Sequence, residues 1–323
     1  MINNISIILP VYGRSALLRR AVDSILAQTD SSWDLLIADD GSDQDTASFI
    51  DSLLDDPRIT LVRRQKNLGL FGNLNLAVRE AASDWLLIVC SDDILEPTAI
   101  HHLRLLANSF PSSRLFLSSY RSIDIRDQPR PDVNGIFYDR FAPKTTCFPP
   151  FTLLEPLLRY GSINGNITGL LIHKSLFSDA GPWHSDWYQA ADWEWLIRAC
   201  CFTSVVINRR PVARVRVHDG QLSEQNRVHY RDSREILQTL SLLINHPYLS
   251  ARSMRYQWAS YHSQFILWNL LKVIPRISPG LILRDLYLIH ENVGLMRTLF
   301  ALITLLPQRL KIRGSGYPLL PSD

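Results

Sequence analysis

The first half of the chain alternates short, mostly apolar runs with amphipathic stretches. Ile5–Leu9, Leu35–Ala38, Ile59–Val62, Trp85–Cys90 and Leu115–Ser118 are too short for helices, and their apolar residues do not skip alternate positions. That pattern predicts strands buried on both faces. Behind Ser15, the residues Leu17, Leu18, Ala21, Val22, Ile25 and Leu26 recur at helical spacing. They predict a one-sided helix capped by that serine. Further helices are predicted over Asp45–Leu54 and Leu74–Ala82, and Pro97 suits the first turn of another. Strand and helix in strict alternation predict right-handed crossovers and a largely parallel sheet.

The later pattern is less regular. Ile123–Pro150, rich in Pro, Asp and Arg, predicts a long surface loop or a short hairpin. Phe151–Tyr160 has a helical pattern and Ile167–His173 a strand pattern. Asp192–Cys201 predicts a helix with Trp195, Leu196 and Ala199 facing inward. Val205–Val217 alternates around Pro211, which predicts two short strands about a turn. After about His218 the character changes. His229–Asn245, Ala251–Ile274 and Leu281–Leu306 are helical in pattern, broken by Pro247, Pro275, Pro279 and Pro307.

Composition narrows the class. With 46% hydrophobic residues, 20% charged residues and a net charge of +3 over 323 residues, the chain is globular and not disordered. So small a positive charge gives no sign of a nucleic-acid partner. The four cysteines form no C-x-x-C pair and read as small buried hydrophobes. The N-terminus lacks the basic leader and long apolar core of a secretion signal, and no apolar run reaches the roughly 18 residues of a membrane span. The expected location is cytoplasmic.

Ligands of open parallel sheets bind beyond the carboxyl ends of the strands. The residues there are Pro10-Val11-Tyr12, Asp39-Asp40-Gly41-Ser42 and Ser91-Asp92-Asp93. Each acidic pair has a structural reading, as a turn with Gly41 or as a cap of the next helix. The functional reading is a site for a divalent cation, Mg²⁺ or Mn²⁺, with the phosphates of a nucleotide. Two acidic pairs around one crevice repel unless a cation or hydrogen-bond donor compensates them.

The segments SIILPVYGR, LLIADDGSDQDT, NLGLFGNLNLAV, WLLIVCSDDILEP, TGLLIHKSLFSDAGPW, AADWEWLIRAC and RVRVHDGQLS occur in this order between about Ile5 and Ser223. Together they resemble the family 2 glycosyltransferases of GT-A fold. The resemblance implies an α/β fold with a mixed, mainly parallel sheet flanked by helices. It implies a catalytic region over 1–225, with a nucleotide-binding half at 1–118 and an acceptor half at 119–225. Residues 226–323 remain as a helical appendage. The implied activity is inverting transfer of one sugar from a nucleotide-sugar donor to a glycan or lipid-linked acceptor.

Site residues follow from the same resemblance. Pro10, Val11 and Tyr12 line the base pocket, and Tyr12 offers a ring for stacking. Asp40 accepts a hydrogen bond from the base, with Asp39 beside it. Asn67, Gly69 and Asn73 stand at the loop and helix start near the nucleotide. Ser91 replaces the usual first Asp of a D-x-D-type motif, leaving Asp93 as metal ligand and Asp92 as the sugar or ribose contact. Asp192 matches the catalytic base, with Ala191 in place of the usual preceding Glu, and Glu194 is its rival. His218 belongs to a loop, through Asp219, Leu222 and Ser223, that closes on the diphosphate or completes the metal shell. Gly165, Asn166, Thr168 and Gly169 face the donor sugar and acceptor without assigned roles. Arg209, Arg210, Arg214 and Arg216 alternate with apolar residues and read as a solvated strand face.

Other classes lack their motifs. No G-x-G-x-x-G follows the first strand and no G-x-x-x-x-G-K-[ST] occurs, which excludes nicotinamide and P-loop chemistry on these signatures. The glycine-rich basic loop of a sugar-nucleotide pyrophosphorylase and the Q-x-x-R-W of a processive synthase are missing as well. An inactive nucleotide-sugar-binding module stays open. So does peripheral membrane contact, because Arg284, Arg297, Arg309, Lys311 and Arg313 mix with Trp258, Trp268, Leu295, Leu299, Phe300 and Leu306. The same mixture suits helices packed on the rest of the protein.

Overall fold

The computed structural model describes residues 2–131, 141–163, 166–218, 220–221, 232–249, 251–273 and 278–311. Gly165, Asp219, Leu222, Ser223 and Arg313 lie outside the described residues. In chain order the strands are β1 (Ile5–Val11), β2 (Trp33–Asp39), β3 (Ile59–Arg63), β4 (Trp85–Ile88), β5 (Ile94–Leu95), β6 (Ser113–Ile123), β7 (Thr146–Phe148), β8 (Leu170–His173) and β9 (Ser204–Arg216). The helices are α1 (Ser15–Leu26), α2 (Gln44–Asp51), α3 (Leu70–Glu80), α4 (Ala99–Ser109), α5 (Leu154–Tyr160), α6 (Leu176–Ala180) and α7 (Ala191–Ala199). They continue with α8 (Asp232–Ile244), α9 (Arg252–Val273), α10 (Pro279–Asn292) and α11 (Leu295–Lys311).

The strands form one mixed sheet in the order β3-β2-β1-β4-β8-β6-β9-β5, with β7 paired to β9. The first four are parallel neighbours; β8 runs antiparallel to both β4 and β6, and β6 runs parallel to β9. All seven residues of β1 are buried, as expected of a central strand covered on both faces. Its register, Val11 opposite Asp39 and Ile8 opposite Ile88, ends β1, β2 and β4 at one edge. Leu18, Ala21, Val22 and Ile25 of α1 pack into the same core as Ile5, Ile7 and Leu9.

Several local expectations change. Ser15 is the first helical residue, not the cap; Arg14 takes the cap position at φ 64° with no side-chain cap. The Ser15 hydroxyl instead bonds Asp45. The stretch predicted as two strands over Val205–Val217 is instead one long strand, β9. Between the pairs Ser118–Asn208 and Tyr120–Ala213 its register against β6 slips, and Pro211 falls in that slip, where it owes the ladder no N–H. The stretch predicted as one helix over Leu281–Leu306 divides at Gly294, whose φ is 103°. Pro307 lies inside α11 and does not end it.

The chain divides into two compact units: Met1–Leu153 with Ile163–Gln225, and Leu154–Ser162 with Asn226–Asp323. The segment containing α5, read from the sequence as part of the acceptor half, therefore groups with the helical unit. That unit is built on α9 and α11, with Ala259, Ile266, Leu267, Leu270, Ala301, Leu302 and Leu305 buried. Among the described residues no single helix is long and apolar enough to cross a membrane. α10 and α11 meet that test only as a pair, bent by 101°.

His262 secures the end of α5 within the helical unit. Its Nε2–H donates to the carbonyls of Leu158 and Arg159 at 2.9 and 3.1 Å, which are otherwise unsatisfied at a helix terminus. Burial holds its pKa down at about 4, against the ordinary 6.5, so the fold needs the neutral ring. The unfolded chain binds the proton more readily, and stability present above pH 6.5 is lost as pH falls toward 4. Calorimetry should show Tm falling between pH 7 and 5, with a shallower fall in His262→Gln. An identical slope in the variant would remove His262 as the cause.

Candidate active site

Three loops meet at the carboxyl edge of β1, β2 and β4. Asp39 closes β2: its Oδ1 accepts the Ser42 N–H at 2.9 Å and its Oδ2 accepts Arg63 Nε at 2.9 Å. Its carboxylate is fully buried and spent on shaping the turn. Asp40 points the other way, its Oδ1 accepting the Leu68 N–H at 2.8 Å. Burial pushes the Asp40 carboxyl above its ordinary range, while the N–H groups of Leu68 and Gly69 and the Arg64 cation pull it back. Gly41 follows them at φ 83°, a conformation that favours glycine.

The predicted base-pocket residues separate by exposure. Pro10 and Val11 are buried in β1, whereas Tyr12 is 61% exposed. Asn67 Oδ1 accepts the Gly69 N–H at 2.9 Å, and Gly69 precedes α3 at φ 77°. Asn73 is buried inside α3. Its amide donates to the Ala38 carbonyl at 2.7 Å and accepts from Arg64 Nε at 3.1 Å. Asn73 therefore ties α3 to β2 and holds the wall behind Asp40.

The second carboxylate pair follows β4. Asp93 is 1% exposed, and both its oxygens already have donors. Oδ1 accepts the Arg216 backbone N–H at 2.8 Å, and Oδ2 accepts the Thr168 hydroxyl at 2.5 Å. The Thr168 oxygen in turn accepts the Cys90 N–H at 2.9 Å, which fixes the direction of its proton. Burial, and then the neighbouring Asp92, push the Asp93 carboxyl up to about 8. Asp92 is more open: its Oδ2 lies 3.2 Å from His218 Nε2 and 3.5 Å from Arg14 Nη1. His218 Nδ1 accepts the Gly220 N–H at 3.2 Å, so Nε2 carries the hydrogen that faces Asp92.

The turn after β1 joins these groups. The Gly13 N–H donates to Ser42 Oγ at 2.9 Å, reaching the Asp39-Asp40 loop. Arg14 reaches Asp92 and also donates to the Gly220 carbonyl. Asp92, Asp93 and His218 thus lie together beyond β4, and Gly13 ties the Asp39-Asp40 turn to the same strand-end edge. Asp192 is not among the groups these bonds join. It sits in the first turn of α7, its Oδ1 accepting the Trp193 N–H at 2.8 Å. Its helix is firmly placed. Trp195, fully buried, stacks on Phe177 with ring centroids 5.0 Å apart and donates its indole N–H to the Gly181 carbonyl at 2.9 Å. The rival Glu194 is 3% exposed and clamped by Arg198 through two bonds of 2.7 Å, so it is a structural ion-pair member.

Arg216 corrects the reading of a solvated basic face. It is fully buried. Its Nε donates to the Asp92 carbonyl at 2.9 Å, and its Nη1 reaches the Asp124 carbonyl at 2.8 Å and Asp127 Oδ1 at 2.5 Å. Arg14 and Arg216 are site residues missed by sequence reasoning, and Thr168 lacked a role. The one available signal was their position beside strand ends.

The donor set suits a hard divalent cation. Cys90, Asp92 and Asp93 offer ligand atoms within 4.8 Å of one another, and the two crowded carboxylates, one lifted in pKa, gain from added positive charge. Burial raises the Cys90 thiol well above its usual range, which leaves the oxygens as the ligands of choice.

The profile of Glycosyl transferase family 2 matches residues 6–145. The protein MT1568 of Mycobacterium tuberculosis (strain CDC 1551 / Oshkosh) is 30% identical over 210 residues, covering 61% of this chain and 64% of that protein. Among solved structures, Staphylococcus aureus TarS 1–349 in complex with UDP-GlcNAc superposes with a TM-score of 0.69 at 12% identity over 99% of both chains. The mannosyltransferase PcManGT of Pyrobaculum calidifontis, in complex with GDP-Man and Mn²⁺, gives 0.56 at 14% identity, covering 94% of this chain and 87% of that one. Residues 6–145 are therefore similar to Glycosyl transferase family 2, and the chain has the GT-A fold of those solved structures. It spans just under two thirds of the length of two curated relatives, 64% and 65%.

Thr168 offers a test of the buried relay. Thr168→Val leaves the Cys90 N–H without its partner and Asp93 Oδ2 with only the long 3.5 Å bond from Asn166 Nδ2, and should cost about 1–3 kcal/mol in urea unfolding. Thr168→Ser should recover most of that loss. Equal stability of all three proteins would refute the relay.

Proposed function

We propose that this chain transfers one sugar, with inversion at the anomeric carbon, from a nucleotide-diphosphate sugar to a hydroxyl group. UDP is the first choice of carrier, and the acceptor is a glycan or a lipid-linked glycan. The observation that carries the reading is the convergence of Asp40, Asp92, Asp93 and His218 on the edge where β1, β2 and β4 end.

Each group has a task that its surroundings suit. Asp40, whose Oδ1 accepts the Leu68 N–H, has its other oxygen to accept a hydrogen bond from a base N–H. Tyr12, exposed at the mouth of β1, covers the flat face of that base. Asp93 and Asp92 would hold Mn²⁺ or Mg²⁺, and His218, predicted from the sequence to complete the metal shell, instead steadies Asp92 through its Nε2–H. When bound, that ion offsets the negative charge that grows on the departing diphosphate. Arg14, tied to Asp92 and Gly220, brings the His218 loop against the same crevice.

Asp192 is the general base of this reading. It takes the proton from the acceptor hydroxyl as the oxygen attacks the anomeric carbon opposite the diphosphate, which leaves with the bonding pair. One displacement inverts the centre, and no protein nucleophile is required. Proton removal of this kind contributes about 10²–10⁴ in rate.

The tests separate base from metal ligand. Asp192→Asn should lower turnover of a sugar-nucleotide panel with Mn²⁺ by about 10²–10⁴ while UDP binding persists. Glu194→Gln should lower Tm but keep most of the rate. The opposite pattern would make Glu194 the base. Asp93→Asn should lose most of the Mn²⁺-dependent rise in Tm that UDP produces. An unchanged rise would exclude Asp93 as a ligand.

A further inference from the structure

The helix α3 touches both halves of the proposed chemistry. The loop before it holds Asp40 through the Leu68 N–H. Further along, the half-buried Asn75 meets the segment between α6 and α7. Its Nδ2 donates to the Trp183 carbonyl at 2.8 Å, and its Oδ1 accepts the Trp183 N–H at 3.0 Å. Asparagine is a mediocre helix former, because its amide competes for backbone groups. In α3 that competition is turned outward. Both halves of the amide are satisfied by the two polar groups of one residue, as a neighbouring strand would satisfy them. One bond would leave that residue free to swivel; two opposed bonds fix its direction. Phe71, one turn earlier on the same face of α3, places its ring 6.3 Å from that of Trp183.

Trp183 passes this hold on to α7. It is buried, with its ring centroid 5.3 Å from that of Trp195 and 4.7 Å from that of Phe177. Polar bonds from α7 return to the same segment. The Trp195 indole N–H donates to the Gly181 carbonyl, and Arg198 donates to the Pro182 carbonyl at 2.9 Å and to the Ala180 carbonyl. Residues 180–183 are therefore pinned by α3 and by α7 together. Asp192 and Trp195 stand three positions apart on α7, which makes them neighbours on the helix surface. Whatever shifts Trp195 shifts Asp192.

We propose that Asn75 is a positioning residue for sugar transfer, resting on the roles proposed above for Asp40 and Asp192. By gripping Trp183 it holds the first turn of α7, and with it Asp192, at a fixed place relative to the loop that holds Asp40. Asn75 acts only through Trp183. A base displaced by about 1 Å loses about 10²-fold in rate without any weakening of donor binding. Nucleotide that orders the loop at Asp40 stiffens the same frame as far as α7.

Hydrogen exchange of the full chain in Mn²⁺, with and without UDP, tests the frame, and kinetics test its use. In the wild type UDP should slow exchange over residues 68–75 and, through Trp183, over 181–195. Asn75→Ala should keep the slowing over 68–75 and lose it over 181–195. On a sugar nucleotide that turns over, the same variant should lower kcat by about 10–10²-fold, with KM and the UDP-dependent rise in Tm unchanged. Asn75→Asp keeps an acceptor for the Trp183 N–H and should fall between wild type and Asn75→Ala in both measurements. Asp34→Asn controls for stability alone. Asp34 accepts bonds from Asn4 and Ser6 at 2.6 and 2.7 Å near the amino end of β2, away from the strand-end loops. That variant should lower Tm while keeping kcat and the UDP effect over 181–195. Equal slowing over 181–195 in wild type and Asn75→Ala would overturn the inference, as would a raised KM with unchanged kcat. Loss of the UDP effect in Asp34→Asn as well would reduce Asn75 to a stabiliser of the fold. UDP that slows exchange over 68–75 but not over 181–195 in the wild type would overturn the inference and leave the nucleotide site standing. UDP that slows neither segment would remove the nucleotide site too.

Discussion

The structure turns on one buried carboxyl group. Asp93 sits at the end of β4 with almost no contact with water, beside a second carboxylate. Left alone, such a group would take up a proton and lose its use. Two short hydrogen bonds oppose that: one from the Thr168 hydroxyl, arriving just before β8, and one from the Arg216 N–H, the last residue of β9. Both donors come from strands on the far side of β4. The sheet order β4-β8-β6-β9 is thus what delivers them, and the register slip that admits Pro211 lets β9 run far enough to do so.

The Arg216 side chain extends the same frame. It joins the Asp92 carbonyl to the turn at Asp124–Asp127, so the acidic loop is braced from outside the crevice. Asp39 and Asn73 do the equivalent work for Asp40, one shaping its turn and the other tying α3 to β2. Of the four aspartates at the strand ends, Asp39 is consumed by architecture, Asp93 is held, Asp40 is buried with one oxygen on the Leu68 N–H, and Asp92 is the most open. That division matches what a nucleotide diphosphate demands: a base contact at one end and charge compensation at the other.

Much of this arrangement was legible along the chain. Short apolar runs marked each parallel strand, and the acidic pairs stood directly after two of them, where such sheets bind ligands. What could not be read was pairing across distance. Arg216 alternates with apolar neighbours as a solvated residue would, and only the sheet shows it sealed beneath Asp124. Thr168 looks like any strand-start threonine until β8 lies against β4. Pro211 suggested a turn because sequence alone cannot show the slip that absorbs it. In the helical unit, the periodicity of Leu281–Leu306 concealed the break at Gly294, a single residue whose positive φ redirects the chain.

The central claim is that Asp40 and Asp93 grip the two ends of one metal-bridged nucleotide diphosphate. A crystal of the full chain grown with UDP and Mn²⁺, with data collected at the manganese absorption edge, tests it most directly. The expected map has a single anomalous peak within about 2.0–2.4 Å of an Asp93 oxygen, bridged to both phosphates, with the base beside Asp40 and Tyr12. Manganese bound away from Asp93, or UDP lying elsewhere than the edge of β1, β2 and β4, would contradict it.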